Sequence, residues 1–469
     1  MRTPSFRRNR VAVAVAGAVL AVGATQALAT GFQLNEQSAS GLGNAFAAGA
    51  AFTDDVSAMW WNPAAISKFE RRQFVQALHI VTPSIEFNNN ASQPAANQPL
   101  GNSGGDAGGY NFIPNLYFST PINNQWSFGL GVNGGWGNKT EYDDGWIGRY
   151  QALLSEILTI NVNPAVAWKV TPEFSVGLGI NFQYIDGKFT QNANYSGGIA
   201  AAATAAAQGG LIPAALVPQI VGATPGYDTK VTITGDDTAW GWNIGAAWDA
   251  TPDLRLAASY RSKIKYELGG DVDYNNPTVS VSPALQPVVN SLTNTLNTTV
   301  FRNRGVTSDI EIPAFANLSV LWRYGKQWEF MADAQWTQWS SVPELAFVAN
   351  EPPPLPPVPL EWDDSWKLAV GASYRYNDQW KARVGVAFDQ TPVTTHPTPR
   401  LPDSDRWWLA FGGEYKWTRD WKFDAGFVYI FAKDADFNQN LGSTPTYGLI
   451  NGSYDASVWI LSGQVTYSF

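Results

Sequence analysis

Cysteine is absent from the 469 residues, which excludes disulfides, thiolate metal sites and cysteine nucleophiles together. Histidine occurs twice, at His79 and His396, too few and too far apart for a histidine metal site. Charged residues make up only 15% of the chain, against about 25% in ordinary soluble domains. Long apolar runs are missing too. Beyond residue 29 no stretch approaches the roughly 18 consecutive apolar residues of a membrane-spanning helix. There is no GxSxG elbow, no phosphate-binding loop and no histidine pair, so neither an enzyme nor a cofactor site is expected.

The formal net charge is −9. Arg2, Arg7, Arg8 and Arg10 are four of the 30 bases and no acid lies near them, so the rest of the chain carries about −13, from 39 acids against 26 bases. Such a surface does not suit nucleic acid.

Aromatic residues are abundant, at 13% with 21 Trp. Low charge, many aromatics and no spanning helix together imply a closed β-barrel in a membrane. Lipid offers no hydrogen bonds, so only a closed barrel satisfies the backbone of strands. Residues 1–29 read as an export signal, with the basic cluster Arg7, Arg8 and Arg10, an apolar run over 11–25 and Ala27-Leu28-Ala29 as the cleavage pattern.

From Arg71 onward one unit recurs: a strand, a tight polar turn, then an aromatic opening the next strand. The turns are at Asn123-Asn124, Pro172-Glu173, Pro252-Asp253, Gly325-Lys326, Asn377-Asp378 and Arg419-Asp420, with the residue types that hairpins use. Trp, Tyr and Phe beside them predict an aromatic girdle at one membrane interface. Six tight turns pair twelve strands. A first strand over 71–88 and a last over 453–469 bring the number to about fourteen. Along the last strand Trp459, Leu461, Val465 and Tyr467 share one face and Ser462, Gln464 and Thr466 the other. The apolar set should face lipid and the polar set the lumen. A barrel of that size is wide enough for a channel.

Three long connections stand out. Residues 197–221 and 273–300 carry apolar side chains at helical spacing, among them Ile220, Val289, Leu292 and Leu296. They suit a small cap packed on itself and a surface site for apolar molecules, two compatible readings. Residues 350–360, NEPPPLPPVPL, form a stiff polyproline segment. Residues 31–69 differ from all the rest, being rich in Ala, Gly and Ser with no alternation. They read as a compact helical plug, residues 30–70, enclosed by a barrel over 71–469. In the third strand Asn133-Gly134-Gly135-Trp136-Gly137 interrupts the alternation. A kink or bulge and a plain strand end are both compatible with it.

Several short matches keep their order along the chain. They are GFQLNE from Gly31, SGLG from Ser40, Asp54-Asp55 and Asn62-Pro63-Ala64. Gly137 with Thr140-Glu141-Tyr142, then Trp146 with Gly148-Arg149-Tyr150, and WDDSWKLAVGASYRYNDQW from Trp362 follow. With these the chain resembles the FadL family of outer-membrane long-chain fatty acid transporters, whose relatives carry aromatic hydrocarbons. The resemblance implies an all-β transmembrane fold: an outer-membrane barrel of about fourteen antiparallel strands with the plug inside its lumen. It implies passive uptake of a hydrophobic small molecule and lateral release into outer-membrane lipid and lipopolysaccharide through a gap at a kinked third strand. It also implies a monomer, and a low-affinity hydrophobic groove among the outer loops.

Carried over position by position, the gate would comprise Asn62, Pro63, Gly134, Gly135 and Gly137. The ligand pocket would include Phe32 and Leu34, with Trp61 as aromatic wall. A fatty acid carboxylate needs a cation, and Lys188 in the fifth strand is the candidate. The region before Trp366 offers Asp363 and Asp364 instead, so a hydrocarbon substrate stands as the alternative. A surface adhesin or receptor barrel is a further alternative.

Overall fold

The computed structural model describes residues 31–439 and 444–469. The export signal assigned to residues 1–29 lies outside the described residues.

Fourteen antiparallel strands form the wall: β1 (Gln73–Asn89), β2 (Asn111–Pro121), β3 (Trp126–Asn133 and Gly137–Glu141), β4 (Leu154–Lys169), β5 (Phe174–Asn194), β6 (Asp228–Thr251), β7 (Leu254–Arg261 and Ile264–Asn275), β8 (Arg304–Ile312 and Phe315–Tyr324), β9 (Trp328–Thr337), β10 (Ser365–Arg375), β11 (Trp380–Asp389), β12 (Arg406–Lys416), β13 (Trp421–Ala432 and Ala435–Gln439) and β14 (Ile450–Ser468). β1 pairs with β14 from Gln73 opposite Ser468 to Asn89 opposite Gly452, which closes the barrel.

Alternation sets which side chains meet lipid. On β11 Trp380, Ala382, Val384 and Val386 are exposed while Lys381, Arg383 and Asp389 are buried in the lumen. On β13 Trp421, Phe423 and Phe427 point out and Lys422 and Asp424 point in. Five of the six tight turns share one device. The side-chain oxygens of Asn123, Thr171, Thr251, Asn377 and Thr418 each accept the backbone N–H groups two and three residues on, as Asx and Ser/Thr turns do. Beside the turns Trp126 stacks with Trp168, and Trp328 packs tilted against Tyr374, Trp380 against Tyr415 and Trp421 against Tyr467. This is the girdle expected at one membrane interface.

Residues 31–69 lie inside the barrel as four short helical turns. Ser38 caps Ala39–Leu42 by accepting the Gly41 N–H, Asp55 caps Val56–Trp60 through Ser57, and Asn62 caps Pro63–Lys68 through Ala64. A buried ion network fastens this segment to β11–β13. Asp54 meets Lys381 at 2.9 Å and Arg383 at 2.8 Å, and Arg383 also holds Glu414 and Asp424 at 2.8 Å. Burial alone would raise the Asp54 pKa, but Lys381, Arg383 and Lys422 overcome it and hold the carboxyl well below its usual range.

At the opposite end from the tight turns, helices α1 (Tyr195–Gln208), α2 (Val217–Ala223) and α3 (Gln286–Thr299) pack on one another. Ile199, Ala203, Ile220, Val289, Leu292 and Leu296 form their common core. Mutual packing, one of the two compatible readings of these apolar stretches, is what the structure shows.

Candidate functional site

The wall is incomplete between β2 and β3. Their ladder runs from Pro121 opposite Ser127 to Leu116 opposite Val132 and stops there. Beyond it β3 bulges: Gly134, Gly135 and Trp136 face only Thr159 and Ile160 of β4, because Asn133 pairs with Asn161 and Gly137 with Leu158. Residues Gly137–Glu141 continue on β4 alone. Residues Asn111 to Asn115 of β2 pair only with β1. Pro114 falls in this open stretch, where a missing N–H costs no ladder bond. Ala107 bounds the opening on its outer side, donating its N–H to Ile85 and accepting that of Glu141.

Two features force the bulge inward. A Cβ on Gly135 would overlap the Trp60 ring, so only glycine lets the backbone approach the plug this closely. Thr159 Oγ1 donates to the Trp136 carbonyl at 2.7 Å and accepts the Trp136 N–H at 3.1 Å.

The N-terminal segment occupies the opening. Gln33 lies opposite Trp136 in an antiparallel bridge. The Leu34 N–H donates to the Gly135 carbonyl at 2.9 Å and the Gly137 N–H to the Phe32 carbonyl at 2.7 Å. Gln37 Nε2 donates to the Gly134 carbonyl at 2.9 Å, while the Tyr117 hydroxyl of β2 donates to Gln37 Oε1 at 2.8 Å. Asn115 Nδ2, also on β2, donates to the Glu36 carbonyl at 2.6 Å. Residues 32–37 are therefore bonded to both lips of the opening in place of the ladder that β2 and β3 do not make.

Glu36 is fully enclosed there, and its Oε2 has no hydrogen-bond partner among the described residues. Burial pushes its pKa up from 4.5 to about 7, against its own backbone N–H and the pull of Lys367. Below about 4.5 folded and unfolded chains both hold the proton. Between about 4.5 and 7 only the folded chain does, so stability falls as pH rises through that window. The fall is on the order of 3 kcal/mol at most, at 1.36 kcal/mol per pKa unit. Thermal unfolding of the purified protein should show a Tm that drops between pH 4.5 and 7, and Glu36→Gln should make that drop smaller.

Above the plug a narrow apolar cavity of about 60 Å³ is lined by Phe32, Ile157, Phe189, Leu360, Trp362 and Arg400, among others. Phe32 packs edge-on against Trp339 at 4.9 Å between ring centroids. Arg400, on the connection between β11 and β12, is 6% exposed. Its guanidinium donates to Ser155 Oγ at 3.1 Å and to Gln191 Oε1. Its Nε has no partner, and among the described residues no carboxylate lies within ion-pair distance. Burial lowers its pKa to about 10.

The structure thus brings together Phe32, Leu34, Gly134, Gly135 and Gly137. Asn62 and Pro63 sit elsewhere: Asn62 Nδ2 donates to the carbonyls of Ala50 at 2.9 Å and Ala246 at 3.0 Å, and a Cβ on Gly245 would strike it. Trp61 packs on Phe46 and Phe315 and does not line the cavity. Lys188 is exposed on the outer face of β5, whereas its neighbour Phe189 points into the cavity. Sequence reasoning passed over Arg400, Glu36, Gln37, Tyr117 and Pro114. Pro114 in an otherwise regular strand was a readable sign of an unpaired edge.

Comparison with known proteins agrees with this fold. The family model described as "Outer membrane protein transport protein (OMPP1/FadL/TodX)" matches residues 20–469. A long-chain fatty acid transport protein of Escherichia coli O6:H1 is 28% identical over 466 residues, covering 99% of each chain. Outer membrane protein P1 of Haemophilus influenzae is 28% identical over 452 residues, 92% of each chain. Among solved structures, a Pseudomonas aeruginosa FadL homologue superposes with a TM-score of 0.80 at 26% identity, covering 94% of this chain and 100% of that one. The P. putida toluene transporter TodX shares the fold, with a TM-score of 0.62 at 16% identity over 91% and 98%. A closed fourteen-stranded barrel with its N-terminal segment lodged in a gap of the wall, matched over nearly its whole length, places this chain in the outer membrane as a member of the FadL/TodX family of outer membrane transport proteins.

Proposed function

We propose that this barrel takes up long-chain fatty acids by passive diffusion, as a single chain, and releases them sideways into the outer membrane. The observation that carries the substrate class is Arg400, a buried cation with no carboxylate within ion-pair distance among the described residues, in the wall of a mostly apolar cavity that Asn138, Ser155, Glu344 and Thr398 also line. A buried charge without a counter-charge is costly, and a ligand carboxylate supplies that counter-charge while its tail fills apolar space. The names of curated relatives, long-chain fatty acid transport proteins, agree with this reading. Lys188, on the outer face, is not needed for it.

The exit follows from residues 32–37. Shifting them frees the stretch of wall between Leu116 and Val132 on one side and Ala107 and Glu141 on the other. An apolar tail leaves through it into lipid without crossing water, as the hydrophobic effect favours. Most of the remaining cavity wall is apolar, so an uncharged hydrocarbon is the second reading; it would make no use of Arg400.

The test is a direct comparison of oleate and toluene on the purified protein at pH 8, with mass spectrometry of whatever co-extracts. Fatty acid in the extract and oleate held more tightly than toluene are expected. Toluene preferred, with no fatty acid extracted, overturns the carboxylate reading.

A further inference from the structure

Outside the inner cavity lies a surface recess of about 450 Å³. Tyr150, Gln191, Pro357, Val358, Pro397 and Thr398 are among its lining residues. Three of these connect it to the inner cavity. Val358 and Thr398 line both spaces, and Gln191 accepts the hydrogen bond that Arg400 donates. The two loop segments that form the recess descend together. Along one, Pro356, Pro357 and Pro359 are exposed, while Val358 between them is half-buried and Leu360 after them is buried; along the other, Thr395 is exposed, His396 and Pro397 are half-buried, and Thr398 through Leu401 are buried. Both end at the cavity that holds Arg400.

We infer that this proline-lined recess is the mouth through which a long-chain carboxylate reaches Arg400; the inference rests on the function proposed above. Proline rings offer apolar surface without a backbone N–H to desolvate, and they are ordered before a ligand arrives. At the rim His396 lies 3.5 Å from Glu361; at the inner end Arg400 has no carboxylate within ion-pair distance among the described residues. The helical cap does not offer an alternative groove. Its central apolar side chains, Ile199, Ala203, Ile220, Val289, Leu292 and Leu296, are buried against one another, which leaves no open groove at their centre.

The absence of cysteine makes the test clean. Val358→Cys, with Leu211→Cys on the exposed tip of the cap (82% exposed) as comparison, is labelled with a bulky maleimide on intact cells, and uptake of radiolabelled oleate is followed. The label on the Val358→Cys variant should slow uptake at least tenfold, and the label on the Leu211→Cys variant less than twofold. Complete labelling at position 358 with unchanged uptake overturns the inference, as does an equal block from position 211. If Val358→Cys assembles poorly, Pro357→Cys on the outer part of the recess takes its place, with the same expectations. Should the unlabelled protein take up toluene but no oleate, the carboxylate reading has failed. Should Arg400→Gln reduce oleate uptake while the label at position 358 does not, only the mouth is misplaced.

Discussion

Replacing Arg400 by Gln weakens oleate binding by one to two orders of magnitude and leaves toluene binding unchanged. The guanidinium already meets Ser155 and Gln191, both uncharged, and its Nε is unsatisfied. A carboxylate arriving there adds charge-assisted hydrogen bonds to a desolvated cation. Such bonds contribute about 1.5–3 kcal/mol, and each 1.4 kcal/mol is about tenfold in Kd. The empty protein should respond in the opposite direction. Removing a buried cation that has no counter-charge relieves its desolvation cost, and Gln can still hydrogen-bond, so the Tm of Arg400→Gln should hold or rise. Titration of both ligands and a melting curve on one preparation check this. An equal loss for oleate and toluene would mean that Arg400 merely shapes the cavity, and a fall in Tm with unchanged oleate binding would make it structural.

The barrel was legible because its physics is periodic. Alternation on β11, β13 and β14 tells lipid from lumen, and the six turns mark their own positions with Asn, Asp, Thr, Pro and Gly. The same rule also settles Lys188. It extends the outward set of Leu178, Ile180 and Phe182 on β5, and a shift of one residue on a strand exchanges the faces. Carried one strand further, the reading that orders the rest of the wall puts Lys188 outside.

The bulge was half legible. Two glycines announce an irregularity, but a strand end and a bulge look alike until the partners on β4 are known. That Gly135 must be small is decided by Trp60, 75 residues away in the chain and in a segment without periodicity. Arg400 was illegible for a related reason. It sits in a Pro- and Thr-rich connection with no repeat, and its importance lies in what it lacks, a carboxylate within reach. Only three-dimensional neighbours reveal that lack. The aperiodic plug hid Glu36 and Gln37 in the same way, since their partners Asn115 and Tyr117 come from β2.

Lateral release requires residues 32–37 to leave the opening before ligand can pass. A disulfide between positions 33 and 136 should therefore stop uptake outright. The pair is flanked by the Leu34-to-Gly135 and Gly137-to-Phe32 hydrogen bonds, so it is the closely spaced kind of antiparallel pair, with Cα atoms about 4.5 Å apart. That lies within the range of about 4.4–6.8 Å that disulfides span. No native cysteine competes for pairing. The loss of the buried Trp136 ring is common to the oxidised and reduced forms of Q33C/W136C, so the reduced protein is its own control. The decisive measurement is the oleate uptake rate of cells carrying this double variant, before and after reduction. Displacement of the segment predicts background uptake while the bond is closed and recovery to the rate of the never-oxidised variant once it is opened; uptake at that same rate with the bond quantitatively closed would show that ligand passes without moving the N-terminal segment and would contradict it.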